Sequence, residues 1–128
     1  YTVRPDLSYN TQYKADYKYL TMSTFKVAQG GNSAVEAIFA TMNEIRAELG
    51  SEEHFVCMQM NTGGSFNEYV FITGHDTMSE ILDQSAFYTA LAVLNEKNPG
   101  WDVEWSKNVL GGYNQTMEFR PDLSTILE

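Results

Sequence analysis

Apolar and polar positions alternate or recur along most of the chain with readable periods. Residues 19–29, Tyr-Leu-Thr-Met-Ser-Thr-Phe-Lys-Val-Ala-Gln, are rich in β-formers and alternate through Thr21, Ser23, Phe25 and Val27, which predicts a strand. Gly30-Gly31 stops it. Val35, Ile38, Phe39, Met42, Ile45 and Leu49 then recur at helical spacing. Ser33 and Glu36 have the spacing of a capping box, and Gly50 is a natural C-terminal stop. Residues 54–61 and 68–74 read as two strands joined by the turn Thr62-Gly63-Gly64-Ser65, hence a hairpin. A helical region runs from Thr77 to about Lys97, with a kink near Gln84-Ser85 and a second capping box in Thr77 and Glu80. Asn98-Pro99 opens a short helix carrying Trp101, Trp105 and Val109, and Gly111-Gly112 ends it. Residues 113–120 give a last strand with Tyr113, Gln115, Met117 and Phe119 on one face.

The order β-α-β-β-α-(α)-β is that of a ferredoxin-like split βαβ fold of the α+β class, with a four-stranded antiparallel sheet and helices on one face. Both faces of the strands are apolar. Phe55 and Cys57 oppose Val56, Met58 and Met60, while Tyr69 and Phe71 oppose Val70 and Ile72. Helices cover one face; the other would be a large apolar patch, which soluble monomers avoid. A second sheet, that of a twofold-related chain, is expected to cover it and make a homodimer.

Composition adds bounds. A chain of 128 residues suits one domain and needs no disulfide to fold, and one cysteine, Cys57, excludes an internal disulfide. The net charge of -9 argues against a nucleic-acid surface, and no apolar run is long enough for a membrane span. Charge is uneven: residues 1–26 hold four basic and two acidic side chains, residues 27–128 four basic and fifteen acidic. Tyr1, Tyr9, Tyr13, Tyr17 and Tyr19 also crowd the start. Residues 1–18 therefore read as a basic, Tyr-rich extension before a domain over 19–128. It either embraces an acidic partner or packs on its own domain. Arg4-Pro5-Asp6-Leu7-Ser8 recurs as Arg120-Pro121-Asp122-Leu123-Ser124. Either a longer parent held tandem units, or both ends form similar strand-then-turn segments.

With its glycine-bounded first helix, its hairpin and the short Trp101/Trp105 helix before the last strand, the chain over about 19–122 resembles the dimeric α+β barrel superfamily, including antibiotic-biosynthesis-monooxygenase-like and NIPSNAP-like domains. The resemblance implies a ferredoxin-like monomer, a sheet-to-sheet dimer and a pocket between sheet and helices. Such families include cofactor-free oxygenases, haem-degrading enzymes and proteins of unassigned role.

His75 stands between a strand end and a helix start, beside Asp76, where an imidazole can serve as general base. The competing reading is a structural turn in which Asp76 or Thr77 caps the helix. Glu52, Glu53 and His54 read as a solvated connection, and no zinc spacing occurs. Cys57, mid-strand among apolar neighbours, reads as inert. Met58, Phe71, Phe87, Tyr88, Trp101 and Trp105, with Met60, are expected to line a pocket for an apolar or aromatic small molecule or else to be core. Gln59 and Tyr69, with Ser23, Thr73 and Gln115, would orient the ligand. No cofactor or metal is called for. Three functions follow: a small-molecule-binding barrel, a cofactor-independent oxygenase using His75, and an assembly module built on the repeated pentapeptide.

Overall fold

The computed structural model describes residues 2–11, 17–61 and 66–118. Its strands are β1 (Thr2–Val3), β2 (Tyr19–Ala28), β3 (Val56–Asn61), β4 (Phe66–His75) and β5 (Val109–Glu118). Its helices are α1 (Asn32–Leu49), α2 (Met78–Leu82), α3 (Ser85–Lys97) and α4 (Trp101–Asn108). The strands form one antiparallel sheet in the order β1-β3-β4-β2-β5. The last four reproduce the split βαβ order.

The sheet has five strands where four were expected. Thr2 and Val3 pair with Gln59 and Met58, and the Arg4 N–H donates to the Cys57 carbonyl at 2.8 Å. An edge strand such as β3 carries unpaired backbone groups, and the incoming chain satisfies them. Pro5–Leu7 then form a 3-10 turn whose Leu7 is 2% exposed. Tyr9 continues the pairing against Phe55. Residues 2–9 of the extension thus share the sheet and the core of the main domain. The second copy of the pentapeptide, Arg120–Ser124, and Phe119 lie outside the described residues.

Two buried clusters lie on the helix side. Leu7, Val27, Val35, Phe39, Cys57 and Tyr69 pack between sheet and α1; Ile38, Met42, Ile45, Ala90 and Leu94 join α1 to α3. The α1 positions match its apolar period. Leu49 does not: it is 46% exposed in the last turn, just before Gly50 ends the helix at φ 65°.

Local signals were met unevenly. Thr77 caps α2, its Oγ1 accepting from the Glu80 N–H at 3.3 Å while the Glu80 carboxylate accepts from the Asp76 N–H at 2.9 Å. The kink expected near Gln84-Ser85 is a break, where the Asp83 carboxylate accepts from the Ser85 N–H and O–H. Ser33 and Glu36 do not cap α1: Gly31 holds that position, and Glu36 is drawn to Arg4 and Tyr69. The short helix starts at Trp101, behind Gly100 at φ 98°. Gly111-Gly112 lie inside β5 instead of ending a helix. There Gly112 faces the Phe25 ring, which a Cβ would meet at 2.9 Å.

Candidate functional site

His75 ends β4, opposite Tyr19 of β2. It does not stand alone. His54, entering β3, lies 6.4 Å away between ring centroids, and the Tyr17 ring stacks on His54 at 5.5 Å. The His54 Nε2–H donates to the Gly74 carbonyl at 2.8 Å, which fixes its tautomer. Gly74 makes the group possible, because a Cβ there would lie 2.0 Å from the Tyr17 ring. Burial, and then the nearby His54, push the His75 pKa below its ordinary value; Glu80 and Asp76 oppose this less strongly. His75 is thus biased toward the neutral base. Sequence spacing hid the Tyr17–His54–His75 group, because its members come from three segments.

The residues expected to line a pocket separate into four places. Phe71 and Trp105 join Phe25, Phe39 and Phe55 in a continuous aromatic core, with Phe39–Phe71 centroids at 4.8 Å and Phe25–Trp105 at 5.2 Å. The centre of the sheet–helix space is therefore filled by the side chains that were to line it. Trp101 sits beside Trp105, its Nε1–H donating to Asn95 at 2.6 Å. Phe87 and Tyr88 contact each other on α3 and are exposed, Tyr88 by 61%. Met58 lies on the opposite sheet face with Met22, Met60, Val70 and Ile72, around a concavity of about 250 Å³ that Gln115 also lines.

Gln59 and Tyr69 belong to a polar chain that the sequence reading did not foresee. Arg4 donates to Gln59 Oε1 at 2.5 Å, to Glu36 at 2.6 Å and to Asp6 at 2.8 Å. The Tyr69 hydroxyl donates to Glu36 and accepts from Asn32 at 2.8 Å. Asn67 in turn donates to Asn32 at 3.1 Å. The Arg4 hydrogen bond holds Glu36 below the usual carboxylate range, and burial together with Glu36 raises Tyr69 to about 12. A phenol so held stays protonated. The repeated pentapeptide was the sequence signal that marked Arg4.

A second depression, of about 550 Å³, opens between α4 and β5. Phe25, Trp105 and Val109 give it apolar walls, Gly111-Gly112 leave it room, and Ser106 and Asn114 supply polar groups. His75 lines neither this depression nor the one on the open face. Burial raises the Cys57 thiol to about 12, so it is a poor nucleophile. Glu53 is engaged by Arg46 and Ser51 instead of joining His54. Among the described residues no group of three metal-ligating side chains gathers. Among them, too, no helix is long and apolar enough to cross a membrane.

No family model matches the chain, and no curated protein matches it. It is similar to a solved Bacillus cereus structure provisionally named as an antibiotic biosynthesis monooxygenase. The two share 13% identity over 82% of this chain and 95% of that one, with a TM-score of 0.47. The fold is read from the chain's own strand order, β3-β4-β2-β5, which is that of a split βαβ sheet, and no residue role passes from that structure.

Proposed function

We propose that this chain is a homodimeric α+β barrel protein that binds a flat apolar or aromatic small molecule in the depression between α4 and β5. The supporting observation is the indole of Trp105 beside the ring of Phe25, in a depression of about 550 Å³ rimmed by Ser106 and Asn114. A ligand site of this kind needs apolar walls, a few polar groups and roughly 300–1,000 Å³. Trp105 offers a ring face for stacking. Asn114 gives the test: paired with Ser23, it faces the same side of the sheet as Phe25 and Gly112, lines the depression and is exposed. Asn114→Phe should obstruct the depression without disturbing the core. Titration with aminoanthracene, a neutral flat fluorophore, should quench tryptophan emission in the native protein and leave Asn114→Phe unchanged at equal thermal stability. Equal binding by both proteins would overturn the reading.

The dimer is supported by the sheet face turned away from the helices, where Met22, Met58, Met60, Val70 and Ile72 form an apolar surface. A cofactor-independent oxygenase is the alternative activity. Its motivation is the shielded, neutral-leaning imidazole of His75 beside His54. Turnover of an aromatic quinol with oxygen uptake, lost in His75→Ala, would favour it. No uptake in the native protein would remove it.

A further inference from the structure

The first copy of the pentapeptide is held at every position. Arg4 spreads its guanidinium over Asp6, Glu36 and Gln59. Pro5 starts the 3-10 turn, and Leu7 enters the core among Val27, Val35, Phe39, Cys57 and Tyr69. The Ser8 Oγ donates to the Arg4 carbonyl at 2.8 Å and accepts from the Cys57 N–H at 2.9 Å. From outside the motif, the seat consists of the two backbone groups of Cys57, the side chains of Glu36 and Gln59, and Asn43, whose amide donates to the Leu7 carbonyl at 3.0 Å. Every side chain of the motif that touches this seat has an identical counterpart in Arg120, Pro121, Asp122, Leu123 and Ser124.

We propose that this seat is a docking site for the pentapeptide as such, and that Arg120–Ser124 of one chain docks into the seat of a second copy of the chain. The charges match: the seat offers the Glu36 carboxylate and the Gln59 carbonyl to an arginine that arrives with its own aspartate. The backbone leading in is comparable as well: Thr2-Val3 lie in β1, and Glu118, two residues before Arg120, ends β5.

The same chain's seat is out of reach. Gln59, Tyr69, Phe25 and Gly112 form one row across the sheet, three strand steps wide, and Glu118 lies six residues beyond Gly112. Strand spacing and rise make the separation about 25 Å, whereas the two residues from Glu118 to Arg120 span at most about 7 Å. Docking therefore joins different chains head to tail, through an interface whose two sides differ. It is independent of the sheet-face dimer. It also competes with the chain's own Arg4–Ser8, which holds the seat with the advantage of a tethered ligand.

The test uses a fluorescent peptide spanning residues 118–126 and the full-length protein. Anisotropy should report weak binding to the native protein. In Arg4→Ala, whose arm competes less well, binding should be about tenfold tighter or more. Glu36→Gln added to Arg4→Ala should weaken it again, and a peptide with alanine for its arginine should not bind. No gain in Arg4→Ala, or equal binding of the alanine peptide, overturns the proposal. If Arg4→Ala does not fold, millimolar peptide added to the native protein should shift the Cys57 and Ser8 amide resonances, and unmoved resonances overturn it. In sedimentation, Leu123→Asp should abolish concentration-dependent growth beyond the dimer and leave the dimer intact. Ile72→Glu should do the reverse, so failure of one interface is distinguishable from failure of the other.

Discussion

At the scale of single residues, Leu7, Glu36 and Gly74 carry more than their neighbours. Leu7 is buried where an N-terminal arm meets the core. Leu7→Ala should cost about 2–5 kcal/mol, the range for a buried leucine whose cavity cannot fully collapse, measured by denaturant unfolding. Gly74 lets the Tyr17 ring lie against the strand. Gly74→Ala should expel that ring and cost about 1–3 kcal/mol, with the His54 ring resonances moving as the stack is lost. Acid should weaken the fold in two stages of the same sign. The folded His75 resists its proton, so its contribution is complete above its ordinary pKa of 6.5 and falls as the pH drops through the lower folded value. Glu36, lowered by Arg4, contributes fully above 4.5 and loses that contribution at still lower pH. Thermal melts against pH should therefore decline from just below neutrality, and His75→Gln should remove the earlier stage only. None of these roles was legible in the sequence, since each depends on a partner distant along the chain.

At the scale of elements, period was a better guide than punctuation. The alternation in 19–29 and the helical recurrence from Val35 to Ile45 both report burial against a neighbour, so they survive into β2 and α1. Glycine and capping signals are ambiguous, because they record only a local possibility. Thr77 and Glu80 realise their cap at an exposed helix start with no stronger partner nearby. Glu36 has a stronger partner in Arg4, and the charged pair prevails over a backbone cap. Thr77→Ala should accordingly cost about 1 kcal/mol, confined to α2 and visible as faster amide exchange there. Ser33→Ala, at a position where no cap forms, should cost little. Gly111-Gly112 have the signature of a helix stop, yet they lie inside β5, where Gly112 leaves room for the Phe25 ring.

At the scale of the whole molecule, the opposition of the two strand faces is the feature that sequence and structure share most fully. Met22, Met58, Val70 and Ile72 face away from the helices, as the alternation required. Ile72→Glu should place a charge on that face, and sedimentation should find the sheet-face dimer lost, the fold unchanged and only head-to-tail growth remaining. The extension was read in two ways, and the packed reading describes residues 2–9, because β3 presents an edge that the arm completes. The candidate site was the least legible level. Phe71 and Trp105 lie in the aromatic core on the helix side, and sequence does not reveal whether neighbouring rings leave a cavity or close it.

By itself the sequence determined the element types, the α+β order, the two-sided apolar sheet and the absence of an internal disulfide. Those follow from period and composition, which are properties of a chain read along its length. The structure alone decided the fifth strand, the Arg4–Glu36–Tyr69 chain, the Tyr17–His54–His75 group and the place where the aromatic core opens. Each depends on which segments meet across the sheet and on how much volume their side chains leave. Pairing and packing are contests among distant partners, and the winner is set by three-dimensional distance, burial and charge.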